Sequence, residues 1–488
     1  MRKGRLMVWL LALLWQHASA QQPIPGLTTY FEEAYWRYPN IPKGVLEAMA
    51  WSASRITNLQ PQSNETSNCT GMPERYGLFG LVENGRGYFK NNLWTVCTVS
   101  NISPEQFKKD VRLQILAVAK YLGREATARR MSIQVSAEEF AGVLDILSEI
   151  PDDSSEVNAY AHALYLYDIY HHLQKGIPSL NIPAAPVSLN KIFSAPMLQK
   201  LKAKEVTVHY KTDSVETTPA ATTQPDYPPA IFIQANTANY RAGRNGNKIT
   251  NITIHTTQGS YAGAISWFKN PAASVSAHYV VRASDGQITQ MVRESDIAWH
   301  VRSANNYTIG IEHEGYVEQG TQWYTDELYR SSAALVRHIC SQWGIDRNTC
   351  YRGPATASTN FQPMAVRIKG HQHYSGNTHT DPGRHWNWGK YADLLLAPGR
   401  GQDSLAVSPN PIRGHEIRVQ YYLNNTSQPA TLLLSDTYGR IVEHRRVQLQ
   451  QGNNRLNINT GFLQAGVYHV IIQLDGKGGG ISRKIVKQ

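Results

Sequence analysis

The sequence predicts a multidomain protein: a helical N-terminal block, a central α/β block built on a mixed sheet, and a C-terminal all-β sandwich. Three patterns predict it. Apolar residues recur at helical spacing between 103 and 172, strand-like runs alternate with helices between 252 and 397, and short alternating runs parted by turn residues fill 405–488. The 488 residues allow roughly three domains of ordinary size.

With 41% hydrophobic, 17% charged and 10% aromatic residues, the composition is globular. It excludes a collagen-like, fully disordered or disulfide-dense chain. The formal charge of +11 raises nucleic acid as a partner, and its distribution answers the question. Residues 1–20 carry +3, residues 405–488 carry +6, and the 384 residues between carry only +2. A nucleic-acid footprint clusters on the working domain, whereas this charge sits at the two ends.

The first end reads as a secretory signal over 1–20. Arg2, Lys3 and Arg5 form its charged region, Leu6 to Trp15 its apolar core, and Ala18-Ser19-Ala20 its cleavage site. That core is far shorter than the ~20 residues of a membrane-spanning helix. The mature chain is therefore expected to begin at Gln21 and to contain no transmembrane segment.

Beyond the signal, Ser103-Pro104 marks a helix start, followed by Val111, Ile115, Val118 and Leu122 at helical spacing. Ser136 and Glu139 fit a capping box ahead of Phe140, Val143 and Leu144. A third helix is expected from Ser155 to about His172. The stretch DSVETTPAATTQPDYPPA has almost no large apolar side chains, so residues 213–229 are expected to form an extended linker between a 21–212 block and a 230–400 block.

In the central block, Ile252–Ile254, Tyr279–Val281 and Thr308–Glu312 read as strands. Thr325 caps a helix over Asp326–Trp343, and another is expected from Asn387 to about Ala397. Pro398-Gly399-Arg400-Gly401 breaks the chain again. Past it, Ile417–Leu423, Ala430–Leu434, Val467–Leu474 and Ile481–Val486 alternate, with turns at Tyr438-Gly439-Arg440, Gly452-Asn453-Asn454 and Ala465-Gly466. This is the signature of a small β-sandwich over 405–488.

Four cysteines allow three connectivities. They fall in two groups on either side of the linker, so Cys69–Cys97 and Cys340–Cys350 are the expected disulfides of an exported protein. The C-x-x-C spacing of a thiolate metal site is absent.

The chemistry-bearing residues concentrate in the central block. Of seventeen histidines, His371, His373, His379 and His385 fall within the fifteen residues 371–385, around Asp381. His255, His278 and His300 stand at strand ends upstream, and Glu312 and Glu314 flank His313. Neutral imidazoles combined with one carboxylate suit zinc.

These motifs resemble the zinc-dependent N-acetylmuramoyl-L-alanine amidases of the type-2 amidase and peptidoglycan-recognition-protein fold. The matching elements are I-H-T, S-A-H-Y, D-G-x-I, A-W-H, I-G-I-E-x-E-G, and G-H followed ten residues on by D-P-G and W-x-W, in that order over 230–397. The resemblance implies one zinc ion per chain on His255, His371 and Asp381, with the fourth position left to water. Zinc would bring the pKa of that water from 15.7 to about 7 and polarise the amide carbonyl. Glu312 matches the glutamate that takes the water proton and passes it to the leaving amine. His379 stands where relatives carry a lysine or histidine that stabilises the oxyanion.

His373, eight residues before Asp381, is the alternative ligand; the glycine before His371 and its ten-residue spacing favour His371. Ala277 stands where some relatives carry a tyrosine, which puts more weight on Glu312. Trp299 and His300 are expected to line the substrate groove, and His278, His313 and His385 to be hydrogen-bonded or exposed rather than ligating. The implied activity is hydrolysis of the bond between N-acetylmuramic acid and L-alanine in peptidoglycan. The alternative within this fold is a receptor that binds peptidoglycan without cutting it, which arises when a zinc ligand is missing; here all are present.

The flanks carry resemblances of their own. IPKGVLEAMAWSASRITNL and RYGLFGLVENG resemble the lysozyme-like lytic transglycosylase fold, but Ala53-Ser54 stands where that family has Glu-Ser. Glycan cleavage needs a carboxylic acid, and Glu47 lies more than a turn and a half away. The resemblance therefore implies a glycan-binding block without its acid, or a spacer, and disfavours muramidase activity. SPNP, SDTYGR, GNNRLNI, LQAGVYHV and ISRKIVK resemble the sorting domain of type IX secretion. They imply entry to the periplasm of a two-membrane bacterium, then export by the outer-membrane secretion machinery to the cell surface or beyond.

Overall fold

The computed structural model describes residues 24–61, 70–202, 207–209, 214–216, 226–227, 231–397, 404–423, 427–437, 439–450, 452–475 and 480–488. The signal at 1–20, Cys69 and most of 213–229 lie outside the described residues. Among the described residues, no helix is long and apolar enough to cross a membrane.

Helices build the N-terminal block: Leu27–Arg37, Val45–Ser54, Asn92–Ser100, Pro104–Lys109, Val111–Ala128, Ala141–Asp145 and Glu156–Lys175, followed by shorter turns up to Lys202. The helix expected from Ser103 is two helices. Ser103 and Gln106 cap each other's backbone to start the first, and extended Asp110 breaks the run and caps the second through Leu113 N. The Ser136–Glu139 box forms, yet the helix after it lasts only five residues. Ser155 caps the long Glu156–Lys175 helix as its side chain predicts.

A mixed eight-stranded sheet forms the centre. Its order is Ile368–Gly370, Asn251–Thr256, Thr308–His313, Tyr279–Val281, Ile288–Gln290, Ile231–Ile233, Thr207–His209 and Ser214–Glu216. The first four strands run parallel. The last pair corrects the expected linker. Ser214–Glu216 pairs antiparallel with Thr207–His209 at the sheet edge, and Asp226 accepts from Gln290 Nε2 and Glu294 N. The described parts of the supposed spacer are thus tied to the sheet, because backbone groups and one carboxylate find partners there that composition does not register.

The two faces of the sheet differ in chemistry. Ile252, Ile254, Ile309, Ile311, Tyr279 and Val281 bury themselves under the Asp326–Trp343 and Trp388–Leu396 helices. Alternate residues therefore point the other way, and they are polar: Thr253, His255, Thr308 and Glu312. His313 belongs to the apolar side. Its Nδ1–H donates to His255 O at 2.9 Å, its Nε2 accepts from the Ser332 hydroxyl at 2.7 Å, and Trp386 packs on its ring.

Unlike beads on a string, the N-terminal and central blocks share one hydrophobic core. Val45, Ile115 and Leu164 are continuous with Tyr261, Ile265, Trp267 and Phe268 of the Tyr261–Lys269 helix, a helix the sequence reading missed. Gly263 permits the close approach: a Cβ there would stand 2.7 Å from Arg75 Nη2 and 2.9 Å from Met72 Cε. Polar groups cross the boundary too. Trp267 Nε1 donates to Thr70 O at 2.7 Å, and Thr70 Oγ1 donates to Thr257 O at 3.0 Å. Arg75 and Glu149 form a buried ion pair at 2.6 Å beside this contact. Burial would raise the Glu149 carboxyl, but Arg75 outweighs it and holds it below the usual range.

The expected Cys340–Cys350 disulfide is not formed. Both are buried free thiols, as is Cys97. Cys350 Sγ turns to the carbonyl of its neighbour Tyr351, and burial pushes both thiols up to about 12, where they stay protonated. The Cys69–Cys97 pair falls partly outside the described residues.

The C-terminal block is a sandwich of a three-stranded antiparallel sheet (Ser404–Ser408, Glu416–Leu423, Gly452–Asn459) and a four-stranded one (Ile441–Leu449, Gln428–Asp436, Gly466–Leu474, Ile481–Lys487). The stretch read as a turn at 452–454 starts a strand instead, paired with Tyr421 to Leu423. Its core draws only on residues from Leu405 to Ile485.

Two outcomes follow from this packing. Arg75→Met leaves Glu149 buried without its partner and should lower unfolding stability by about 3–5 kcal/mol; restoring much of it with a second change, Glu149→Leu, is the check in a urea titration. His313 is pushed down to about 3 by burial, against an ordinary value of 6.5. The unfolded chain binds that proton first, so its stabilising contribution is whole above pH 6.5 and shrinks as pH falls. Between pH 7.5 and 5 the parent should lose about 2 kcal/mol more than His313→Gln; equal losses in the two proteins would contradict this.

Candidate metal centre

Strand register assembles the site. His255 lies near the end of its strand, and its partner on the neighbouring parallel strand is Glu312. On the other side Gly370 pairs with Ile254, so His371 follows at the level of His255. Three residues spread along the chain from 255 to 371 thus reach one edge of the polar face. The loop after Gly370 turns back to deliver Asp381. Gln372 N donates to Asp381 O at 3.0 Å, and Gly370 leaves room for Pro382, whose Cδ would lie 2.5 Å from a Cβ.

His255, His371 and Asp381 are buried, at 0%, 2% and 4% exposure. One side-chain donor atom from each lies within 4.8 Å of the others, and among the described residues this is the one such group. His255 Nδ1 is 2.9 Å from Asp381 Oδ2, and His371 Nδ1 is 3.3 Å from Oδ1. Burial pushes His255 down to about 4, against the pull of Asp381. Burial would raise Asp381, but His371 and His255 outweigh it and hold the carboxyl far below its usual range. At neutral pH the site presents a neutral His255 imidazole and a carboxylate, the protonation states a divalent metal requires of its ligands. The donor set fits zinc in kind, number and spacing.

His300 does not line a groove. It is 6% exposed, its Nδ1 meets His255 Nε2 at 2.9 Å, and its Nε2 meets Thr308 Oγ1 at 3.1 Å. Gly310 makes the approach possible, since a Cβ there would stand 2.5 Å from the His300 ring. With Nε2 engaged, His255 turns Nδ1 to Asp381, the arrangement by which an outer partner orients a ligating imidazole. Trp299 is half-buried beside it.

His373, the alternative ligand, faces away. Its Nδ1 accepts Gly370 N–H at 3.0 Å and its ring packs on Tyr351 at 4.2 Å. The half-buried ring of His379 lies 4.6 Å from that of His371. Asn377 holds this loop by donating to His371 O and His379 O, at 2.8 and 2.9 Å, a role no motif signalled. Glu312 is 2% exposed beside His255. His278 is engaged by Arg244 and Gly310 N, and His385 by Thr321 Oγ1, so neither reaches the group. Ala277 is buried and offers no proton.

Comparison with known proteins finds relatives for the central and C-terminal blocks. The family described as N-acetylmuramoyl-L-alanine amidase matches residues 245–384, and the family described as secretion system C-terminal sorting domain matches 406–488. N-acetylmuramoyl-L-alanine amidase A of Achromobacter lyticus is 43% identical over 175 residues, covering 36% of this chain and 97% of that protein. The 1,6-anhydro-N-acetylmuramyl-L-alanine amidase AmpD of Escherichia coli (strain K12) is 32% identical over 129 residues, covering 25% of this chain and 58% of that one. The solved structure of Staphylococcus aureus hydrolase AmiA with its ligand shares 18% identity, covers 34% of this chain and 80% of its own, and has a TM-score of 0.25, too low to build on. Matched along nearly the whole of its Achromobacter relative, the chain belongs to the N-acetylmuramoyl-L-alanine amidase family and hydrolyses amide bonds of peptidoglycan.

Proposed function

We propose that the chain is an exported zinc amidase that cuts between the lactyl group of N-acetylmuramic acid and L-alanine, with His255, His371 and Asp381 as the zinc ligands. The convergence of these three buried donors within 4.8 Å carries the reading, and the muramoyl-L-alanine bond in the names of its relatives supports the substrate class. Zinc, when bound, supplies Lewis acidity toward the scissile carbonyl and a nucleophilic water at neutral pH. Glu312 takes the proton of the attacking water on its carboxylate and returns it to the nitrogen of the leaving L-alanine. His379 donates a ring N–H to the oxyanion of the tetrahedral intermediate. His300 keeps the His255 ring in place, and half-buried Trp299 offers an apolar wall to substrate. All three ligands and Glu312 are present, which favours hydrolysis over mere recognition.

The N-terminal block, lysozyme-like in sequence, serves this reading as a brace and not as a muramidase or glycan reader. Ala53, where an acid would stand, borders a small cavity of about 40 Å³, with Ser52 and Asp168 on one side and Tyr261, Arg282 and Glu314 of the central block on the other. Glu47 is buried and accepts from the Tyr35 hydroxyl. The sorting domain and the 1–20 signal support export to the cell surface or beyond by the type IX route.

Glu312→Gln should reduce release of stem peptides from sacculi by at least about 100-fold while one zinc per chain stays bound. His255→Ala should lose both metal and activity. Mass analysis of the digest is decisive, because only an amidase frees stem peptides from intact glycan; hydrolysis by Glu312→Gln at the parent rate would remove its role. Deleting 405–488 should leave the enzyme in the periplasm, and normal secretion of the truncated chain would contradict the tail's function.

A further inference from the structure

His255 lies in the Asn251–Thr256 strand and Asp381 on the loop after Gly370, and a contact other than their own ties the two backbones together. One side chain touches the residue after each. The Tyr324 hydroxyl donates to Pro382 O at 2.8 Å and meets Thr256 Oγ1 at 2.7 Å. With its proton on Pro382, it accepts from the Thr256 hydroxyl, so a single phenol joins the end of the His255 strand to the Asp381 loop. The ring is fixed in turn. Tyr324 is 6% exposed, packs on Trp386 at 5.0 Å, and lies so close to Gly320 that a Cβ there would clash with it.

Tyr324 follows Trp323, which is fully buried and forms a contact with the other block. The Arg55 guanidinium stacks on the Trp323 indole at 4.1 Å while donating to Trp51 O at the end of its own helix. Arg55 has φ 52, a left-handed conformation that a side chain adopts only at a cost. Both elements are thereby pinned, the N-terminal helix end and the 320–324 turn, and the pin leads directly to the phenol.

We propose that Tyr324 is a positioning residue whose hydroxyl sets the distance of the Asp381 loop from the His255 strand, and that the N-terminal block holds it there through Arg55 on Trp323. This rests on the reading of His255, His371 and Asp381 as the metal ligands. A preorganised loop spares metal binding the entropy of ordering it, and the outer partners of metal sites are worth about 10–100-fold in metal affinity. The N-terminal block would then belong to the metal centre, although none of its residues reaches the ligands.

The test is zinc affinity of the full chain by competition with a chromogenic chelator, with thermal unfolding of the metal-free protein alongside. Tyr324→Phe, which keeps the ring, and Thr256→Val, which removes the other hydroxyl, should each weaken zinc binding about 10–100-fold with cooperative unfolding retained. Arg55→Met should weaken it in the same direction, and Arg55→Lys, which keeps the charge but not the planar stack, should restore affinity only in part. Parent-like affinity in both Tyr324→Phe and Thr256→Val would refute the clasp. Parent-like affinity in Arg55→Met alone would refute the brace. A parent chain that binds no zinc would instead overturn the metal reading on which the proposal stands.

Discussion

Asp381 carries a negative charge into a site where only 4% of its surface meets solvent. Such a charge is costly to bury without partners, and much of the local architecture answers that cost. Two imidazoles face its two oxygens, the strand register brings those imidazoles to one level, and the loop from 371 to 381 closes back on itself through Gln372 and Asn377. Around them the polar face of the sheet is satisfied almost residue by residue. Thr253 meets Tyr374, Thr308 meets His300, and His278 meets Gly310 N. This carboxylate and these two imidazoles form a group that could hold a divalent ion.

This dependence extends beyond the family-matched region. Residues 245–384 match the amidase family, yet one flank of that unit, the Tyr261–Lys269 helix, is packed by helices from the N-terminal block in a common core. One crossing hydrogen bond ends at Thr257 O, two residues beyond His255. At this boundary Ala53 borders the small cavity that residues of both blocks line.

The C-terminal sandwich follows another logic. Its core is self-contained, and Arg418, Arg445 and Arg455 line a broad open groove on it. A small antiparallel sandwich with its own apolar interior can travel as a tag without altering the site, which suits a sorting domain.

Much of this was legible in the chain itself. The alternation in ITIHT and IGIEH separates an apolar from a polar face without any coordinates, Thr325 and Asn387 mark their helices to within a residue, and the ordered motifs single out His255, His371, Asp381 and Glu312. Local pattern suffices there because period and capping are local physics. The remainder was not local. Ser103 could not reveal the break at Asp110, linker composition could not reveal strand pairing at 214–216, and cysteine spacing could not reveal that the Cys350 thiol turns away to Tyr351. His300 looked like a groove residue until Gly310 let it in behind His255. That Tyr324 links Thr256 to Pro382 depends on contacts 58 and 68 positions apart within the central block, and that Arg55 lies on Trp323 depends on the packing of one block against the other.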